Sequence, residues 1–415
     1  MILKAASSSN IRESLEKLNT FNSDPENGTT RILFTEPEVN ARNYIKEEMK
    51  KVGLSIREDS IGNIFGTLKG SNPDLPPVWT GSHIDTVINA GMFDGMTGVV
   101  AGIEAARLIK ESGLSHKRNI EVIVYTSEEP TRFGLGCLGS RAMAGSLSLE
   151  EAQELKDNEG KSLADVLESL GYDLSKFNEI PVKKGDVHAA VELHVEQGGV
   201  LETLGLPIGI VKTISAPTNF EVVVKGKQTH AGSTPMNLRH DAFLICCEIA
   251  LKLEELAKAS ASEDTVATVG RVEVLPNASN VISGEVNFSI DVRDSDYEVK
   301  CKLIKELMEF IREVEKKREV IIEIQQINDD IPTHSDEKII KMLEEICSSN
   351  NISYHKMVSG AFHDSMMVGR FAPIAMIFVP SKDGISHNPD EWSDYEDIAK
   401  GTDILADALL KLANE

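Results

Sequence analysis

Cysteine is scarce in this chain. There are five in 415 residues, Cys137, Cys246, Cys247, Cys301 and Cys347, and none falls in a CxxC pattern. So sparse and odd a count does not build a disulfide framework and fits a reducing compartment. Positive charge is also short: 43 Lys and Arg stand against 66 Asp and Glu, a formal net charge of −23. That balance argues against nucleic acid as a partner, because phosphates along a groove would go unneutralised. It argues equally against an anionic membrane surface. A small anionic substrate stays open, since one arginine can dominate a pocket. Long apolar runs are missing as well. The opening MILKAASSSNIRESLEKLN has no sustained apolar core ahead of a cleavage site. No stretch offers the roughly 20 apolar residues of a membrane helix. The expected location is the cytoplasm. There is no internal repeat and no low-complexity segment.

What is present is ordinary globular material, 41% hydrophobic and 26% charged. A chain of this length usually divides its core, so two domains are expected. The first half alternates strand-like and helix-like patterns. Residues 10–19 and 36–52 read as amphipathic helices, the second closed by Gly53. LSIRED and NIFGTLKG read as short strands. Apolar strands at 77–82, 120–126 and 189–195 alternate with helices at 97–112, 148–156 and 161–170. This order predicts an α/β sheet between helices.

The character then changes. Strands at 220–226, 265–275, 284–294 and 319–327 interleave with helices at 240–258 and 296–316. This βαββαβ order predicts a ferredoxin-like, four-stranded antiparallel sheet with two helices on one face. After it come a helix at 335–349, strands near 353–357 and 374–380, and a helix at 394–412. The expected division is a catalytic domain in two parts, 1–212 and 331–415, with 213–330 inserted between them.

Polar residues gather where the apolar strands end, which is where such sheets place their sites. His83, Asp85 and Asp94 follow the first, in VWTGSHIDTVINAGMFDGMTG. Glu128 and Glu129 follow the second. His194, Glu196 and Gln197 end the third, and His387 follows the last. His83 and Asp85 are two apart, so an extended backbone points both to one side. That suits a metal-binding imidazole oriented through its other nitrogen by a carboxylate. Read singly, each cluster is a capped loop or a solvated strand end. Together they supply what a two-metal hydrolase needs: imidazoles, bridging and terminal carboxylates, and one carboxylate left as a base.

The ordered set GSHIDT, FDG, TSEEPTRFG, ELHVEQG, KQTHAGSTPM and SHNPDEW resembles the amidase, or hydantoinase/carbamoylase, branch of the dinuclear metallohydrolases related to aminoacylase and carboxypeptidase. That branch holds ureidoglycolate amidohydrolases, allantoate amidohydrolases and N-carbamoyl-L-amino acid hydrolases. The resemblance implies a metallopeptidase-like catalytic domain and an inserted dimerisation or lid domain. It implies two divalent ions, Mn²⁺ or Zn²⁺, on His83, Asp94, Glu129, His194 and His387, with Asp94 as the bridge. Glu128 would be the general base and Asp85 the partner of His83. His230 would reach a neighbouring subunit's site and hold the oxyanion. Asn280 and Arg293 would grip the substrate carboxylate, Gln197 would contact the ureido or carboxylate end, and His363 would line the pocket. The expected activity is hydrolysis of the ureido C–N bond of a small ureido acid by a homodimer joined through the inserted domain, releasing ammonia and carbon dioxide. TRILFTEPEVNARNYIKEEM, SEEPTRFGLGCLGSR and VKTISAP look closest to the ureidoglycolate enzymes, with allantoate as the neighbouring substrate. HAGSTPM and NLRHDA look more like the N-carbamoyl-L-amino acid enzymes. A dipeptidase or aminoacylase, or a catalytically dead binding relative, are the remaining alternatives. His116, His188, His240, His334 and His355 stand in no motif.

Overall fold

Four strands carry the architecture: Val78–His83, Ile120–Tyr125, Ala189–Val195 and Ile374–Val379. Every residue in them is buried, as expected of parallel strands covered on both faces. In this computed structural model, which describes residues 3–415, the four lie side by side and parallel, in the order 120–125, 78–83, 189–195, 374–379. Their carboxyl ends therefore share one edge. Antiparallel neighbours flank the four on both sides, Ile64–Leu68 against Ile120–Tyr125 and Ile208–Ile214 against Ile374–Val379, within a nine-stranded sheet.

The alternation of side chains across the sheet does two jobs. Val191, Leu193 and Val195 point into an apolar core shared with the helices Met96–Ser112 and Tyr395–Leu412. Glu192 and His194 point to the opposite face, where Glu192 accepts a hydrogen bond from Ser365 at 2.6 Å. The helix Glu36–Val52 forms as its pattern predicts, with Thr35 at its N-cap, a proline in its first turn and Gly53 in the left-handed conformation at its end.

By contacts the chain forms two units. The first runs to Lys212 and is completed by His334–Met357 and His363–Glu415; the second comprises Thr213–Thr333 with Val358–Phe362. In the second unit, Ala216–Lys225 lies between Glu285–Asp294 and Ile321–Asp329, all antiparallel. The helices Ala242–Lys258 and Tyr297–Arg318 share its core, with Val222, Val224, Phe288 and Ile290 facing Ile249, Leu253, Leu307 and Ile311. One expectation needs correction. Residues 265–275 are not one strand but two, Val266–Thr268 and Val272–Leu275, both paired with Glu285–Asp294. Across the break, three residues (269–271) face two (289–290), a β-bulge centred on Gly270. The sheet thus has five strands rather than four. Among the described residues no helix is long and apolar enough to cross a membrane.

Candidate metal centre

Two three-residue groups form in the first unit around one shared carboxylate. His83, Asp94 and His194 offer ligand atoms all within 4.8 Å of one another, and so do Asp94, Glu129 and His387. Asp94 Oδ1 lies 3.6 Å from His83 Nε2 and 3.3 Å from His194 Nε2. Its Oδ2 lies 3.0 Å from His387 Nε2, which is itself 3.4 Å from Glu129.

The imidazoles are oriented by backbone. His83 Nδ1 hydrogen-bonds the carbonyl of Asp85 at 3.0 Å, and His194 Nδ1 that of Val195 at 2.9 Å. A carbonyl only accepts, so both rings carry a proton on Nδ1 and turn Nε2 toward Asp94, the Nε2 of His194 also accepting the Gly95 N–H at 3.2 Å. His83 is 1% exposed, and its Nε2 has no hydrogen-bond partner. An orphaned, buried lone pair facing carboxylates fits a cation. Here the sequence reading is corrected: the Asp85 carboxylate does not make the bond to His83, its nearest oxygen being 3.9 Å away. The carbonyl of the same residue sits closer. The carboxylate instead accepts the backbone N–H groups of Glu128 at 3.3 Å and Glu129 at 3.0 Å.

That anchor explains how adjacent glutamates diverge. Ser127 has φ 55, a left-handed conformation that ends the strand abruptly. Glu129 then faces Asp94 and His387, while the Glu128 carboxylate comes within 3.7 Å of His83 Nε2 and belongs to neither group. Gln197 (φ 59) and His387 (φ 53) are also left-handed, so irregular backbone recurs at the strand ends. Gly95, at φ 69, begins the helix after Asp94, and a Cβ there would meet the His83 ring at 2.4 Å.

Electrostatics follow from crowding. Burial pushes Glu128 well above the ordinary carboxylate range, reinforced by Glu129, Asp364 and Asp94 and opposed by His83. Burial and Asp94 raise Glu129 to about 7. Burial works against the Asp94 anion, but the imidazoles of His194, His387 and His83 gathered around it outweigh that and hold Asp94 well below its usual value. His387 rises to about 9, chiefly through Asp94. Buried carboxylates thus outnumber the imidazoles that neutralise them, a surplus that divalent cations would balance. Oxygen and imidazole donors without thiolate suit Mn²⁺ or Zn²⁺.

The remaining expected residues are distributed as follows. Gln197 donates Nε2 to Asp94 Oδ2 at 2.7 Å, and its buried Oε1 has no hydrogen-bond partner. His363 is buried with its ring edge-on to His194, centroids 4.5 Å apart, and forms a third group with Glu192 and His194. In the second unit, His230 is exposed and pairs with Val281 in a two-stranded ladder, next to Asn280, whose carbonyl accepts the N–H of Ala231. Arg293 is held elsewhere in that unit. Asp291 takes its guanidinium at 2.9 and 3.0 Å, and Gly360 takes Nη1 at 3.2 Å.

Three carboxylates of the neighbourhood were not picked out from the sequence. Glu192 accepts from Ser82 and Ser365. Asp364 accepts from Ser140 and is raised to about 7 by burial and by Glu192. Glu391 binds the loop that carries Asp94. Glu192 left a signal, an acid beside His194 in the strand AAVELHV, and Glu391 stands within SHNPDEW.

A parallel sheet whose strand ends converge on one shared aspartate and two imidazole-carboxylate groups defines a metallohydrolase of the carboxypeptidase kind, and the chain belongs to peptidase family M20/M25/M40, which it matches over residues 79–411. Among named relatives, it is 42% identical to the ureidoglycolate hydrolase of Arabidopsis thaliana over 97% of this chain and 86% of that protein. It is 39% identical to the N-carbamoyl-L-amino acid amidohydrolase of Geobacillus stearothermophilus, over 96% of this chain and 97% of that one. The crystal structure of AtUAH in complex with glyoxylate superposes with a TM-score of 0.92 at 41% identity, covering 99% of both chains.

Proposed function

We propose that this chain is a two-cation ureidoglycolate amidohydrolase. The observation that carries the reading is 42% identity to a ureidoglycolate hydrolase along nearly the whole chain, in a chain that holds both candidate cation groups and a Glu128 outside them. The substrate choice has chemical support. Cleaving the ureido bond of ureidoglycolate leaves carbamate, which falls to carbon dioxide and ammonia, and hydroxyglycine, which collapses to glyoxylate and a second ammonia. The AtUAH structure holds glyoxylate. Allantoate, cleaved at the same kind of bond, would not give glyoxylate directly.

His83, Asp94 and His194 would hold one divalent ion, and Asp94, Glu129 and His387 the other. Such ions supply Lewis-acid charge that acidifies water and polarises a carbonyl. Glu128 takes the proton of the attacking water and delivers it to the departing nitrogen. Its raised affinity for a proton suits that shuttle. Asp85 fixes the backbone from which both glutamates project. Gln197 Oε1, buried and unpartnered, is placed to accept a ureido N–H. His363, buried beside His194, would line the substrate site. His230 and Asn280 belong to one corner of the second unit and would act on a bound substrate together, with Arg293 as the carboxylate fork that Asp291 keeps in orientation. Dimerisation through that unit is supported by Phe243 and Leu251, apolar residues exposed two helical turns apart on Ala242–Lys258. The five free cysteines fit a cytoplasmic setting.

A second reading, hydrolysis of N-carbamoyl-L-amino acids, rests on the 39% identity to such an enzyme. A substrate panel separates the two. Purified protein with Mn²⁺ is given ureidoglycolate, allantoate and several N-carbamoyl-L-amino acids, and ammonia is followed. Ureidoglycolate is expected to give the highest kcat/KM, by about tenfold or more, a difference of about 1.4 kcal/mol in transition-state binding. A faster N-carbamoyl-L-amino acid would hand the assignment to the second reading. Silence on all of them would refute both.

A further inference from the structure

Glu391 lies four residues beyond His387 and is 4% exposed. Its Oε2 accepts the backbone N–H of Phe93 at 2.9 Å and of Asp94 at 3.2 Å. Its Oε1 accepts the Ser386 hydroxyl at 2.8 Å, and that hydroxyl also lies 3.2 Å from Asp94 Oδ2. The loop packs directly on this side chain: a Cβ at Gly91 would meet the Glu391 Cβ at 2.3 Å. One carboxylate therefore ties the loop that presents Asp94 to the loop that presents His387.

We infer that Glu391 is a positioning residue for both cations, acting through the shared Asp94. Its own oxygens are taken up by two N–H groups and one hydroxyl, so it is not itself a spare ligand. Asp94 needs such an anchor because its two oxygens face different imidazoles, and rotating or shifting it by a fraction of an ångström would detune both groups at once. The anchoring groups are backbone N–H donors, which fix the main chain rather than one rotamer. Ser386 adds a link from the same carboxylate to the Asp94 side chain. This inference rests on the two-cation reading above.

The test uses full-length Glu391→Ala, Glu391→Gln and Ser386→Ala beside wild type. Mn²⁺ content is measured after loading and gel filtration, Mn²⁺ affinity by calorimetric titration, and melting of the chelated proteins by circular dichroism. Wild type should hold two ions per subunit. Glu391→Ala should bind both about 10–100-fold more weakly, the usual cost of losing a group behind a metal ligand, while its metal-free melting stays near wild type. Glu391→Gln should recover most of the affinity, because an amide oxygen can still take the two N–H groups and the amide NH₂ can face Ser386. If Glu391→Ala does not fold, Ser386→Ala decides: weaker Mn²⁺ binding upholds the inference and unchanged binding overturns it. Two equally tight ions in Glu391→Ala would remove Glu391 from the account and leave the two-cation reading standing. No Mn²⁺ uptake by wild type would sink that reading and this inference together.

Discussion

Two neighbouring glutamates face different ways in this site because their backbone is turned and then pinned. Ser127 supplies the turn, with φ 55, and Asp85 supplies the pin by accepting both N–H groups. Glu129 is left facing Asp94 and His387, and Glu128 is left outside both cation groups. If Glu128 is the base, Glu128→Gln should keep the fold and both Mn²⁺ ions. Its kcat should fall about 10²–10⁴-fold, the span that general acid–base catalysis usually contributes. Measured kcat within a few-fold of wild type in a metal-replete variant would mean the base lies elsewhere. The sequence made the titratable residues legible but not their bonds. His83 and Asp85 at i, i+2 suggested an imidazole–carboxylate pair, yet the backbone carbonyl of Asp85 is nearer the ring. Spacing cannot distinguish two acceptors on one residue. The role of Glu391, within SHNPDEW, was not legible for a related reason: two of its partners are the backbone N–H groups of Phe93 and Asp94, which carry no side-chain signature.

The elements that gather these residues were easier to read, because their patterns are strong. Four fully buried strands and the periodic helix 36–52 followed from apolar runs, helical spacing and Gly53. The strand at 265–275 was misread because an edge strand with a bulge has the same composition as a straight one. The loop between Val78–His83 and the helix Met96–Ser112 is the demanding element. Gly95 begins that helix against the His83 ring, with no room for a Cβ. It also has a positive φ that other residues adopt at a cost. Gly95→Ala should therefore displace the ring and lower the melting temperature. The loss should be on the order of 1–3 kcal/mol, as for other overpacked positions. Mn²⁺ content should drop in the same preparation. A variant with wild-type Mn²⁺ content and melting would show that the loop accommodates the methyl group without displacing the His83 ring.

At the scale of the molecule, the first unit carries the candidate cation ligands and the second carries His230, Asn280 and Arg293. If His230 serves a partner subunit's site, His230→Ala should lower turnover by about 10²–10³-fold, as loss of an oxyanion donor does, in a protein that remains dimeric. Mixing it with Glu128→Gln and allowing exchange should restore part of the activity, since a hybrid dimer has one site with both groups intact. Proven exchange without recovery would place His230 outside a shared site. The claim beneath all of these is that ureido hydrolysis here depends on two cations around Asp94. It is tested most directly by titrating chelated protein with Mn²⁺ while following ammonia release from ureidoglycolate. The expectation is no turnover without metal and a rise that levels off at two equivalents per subunit. Full turnover in metal-free protein would contradict it.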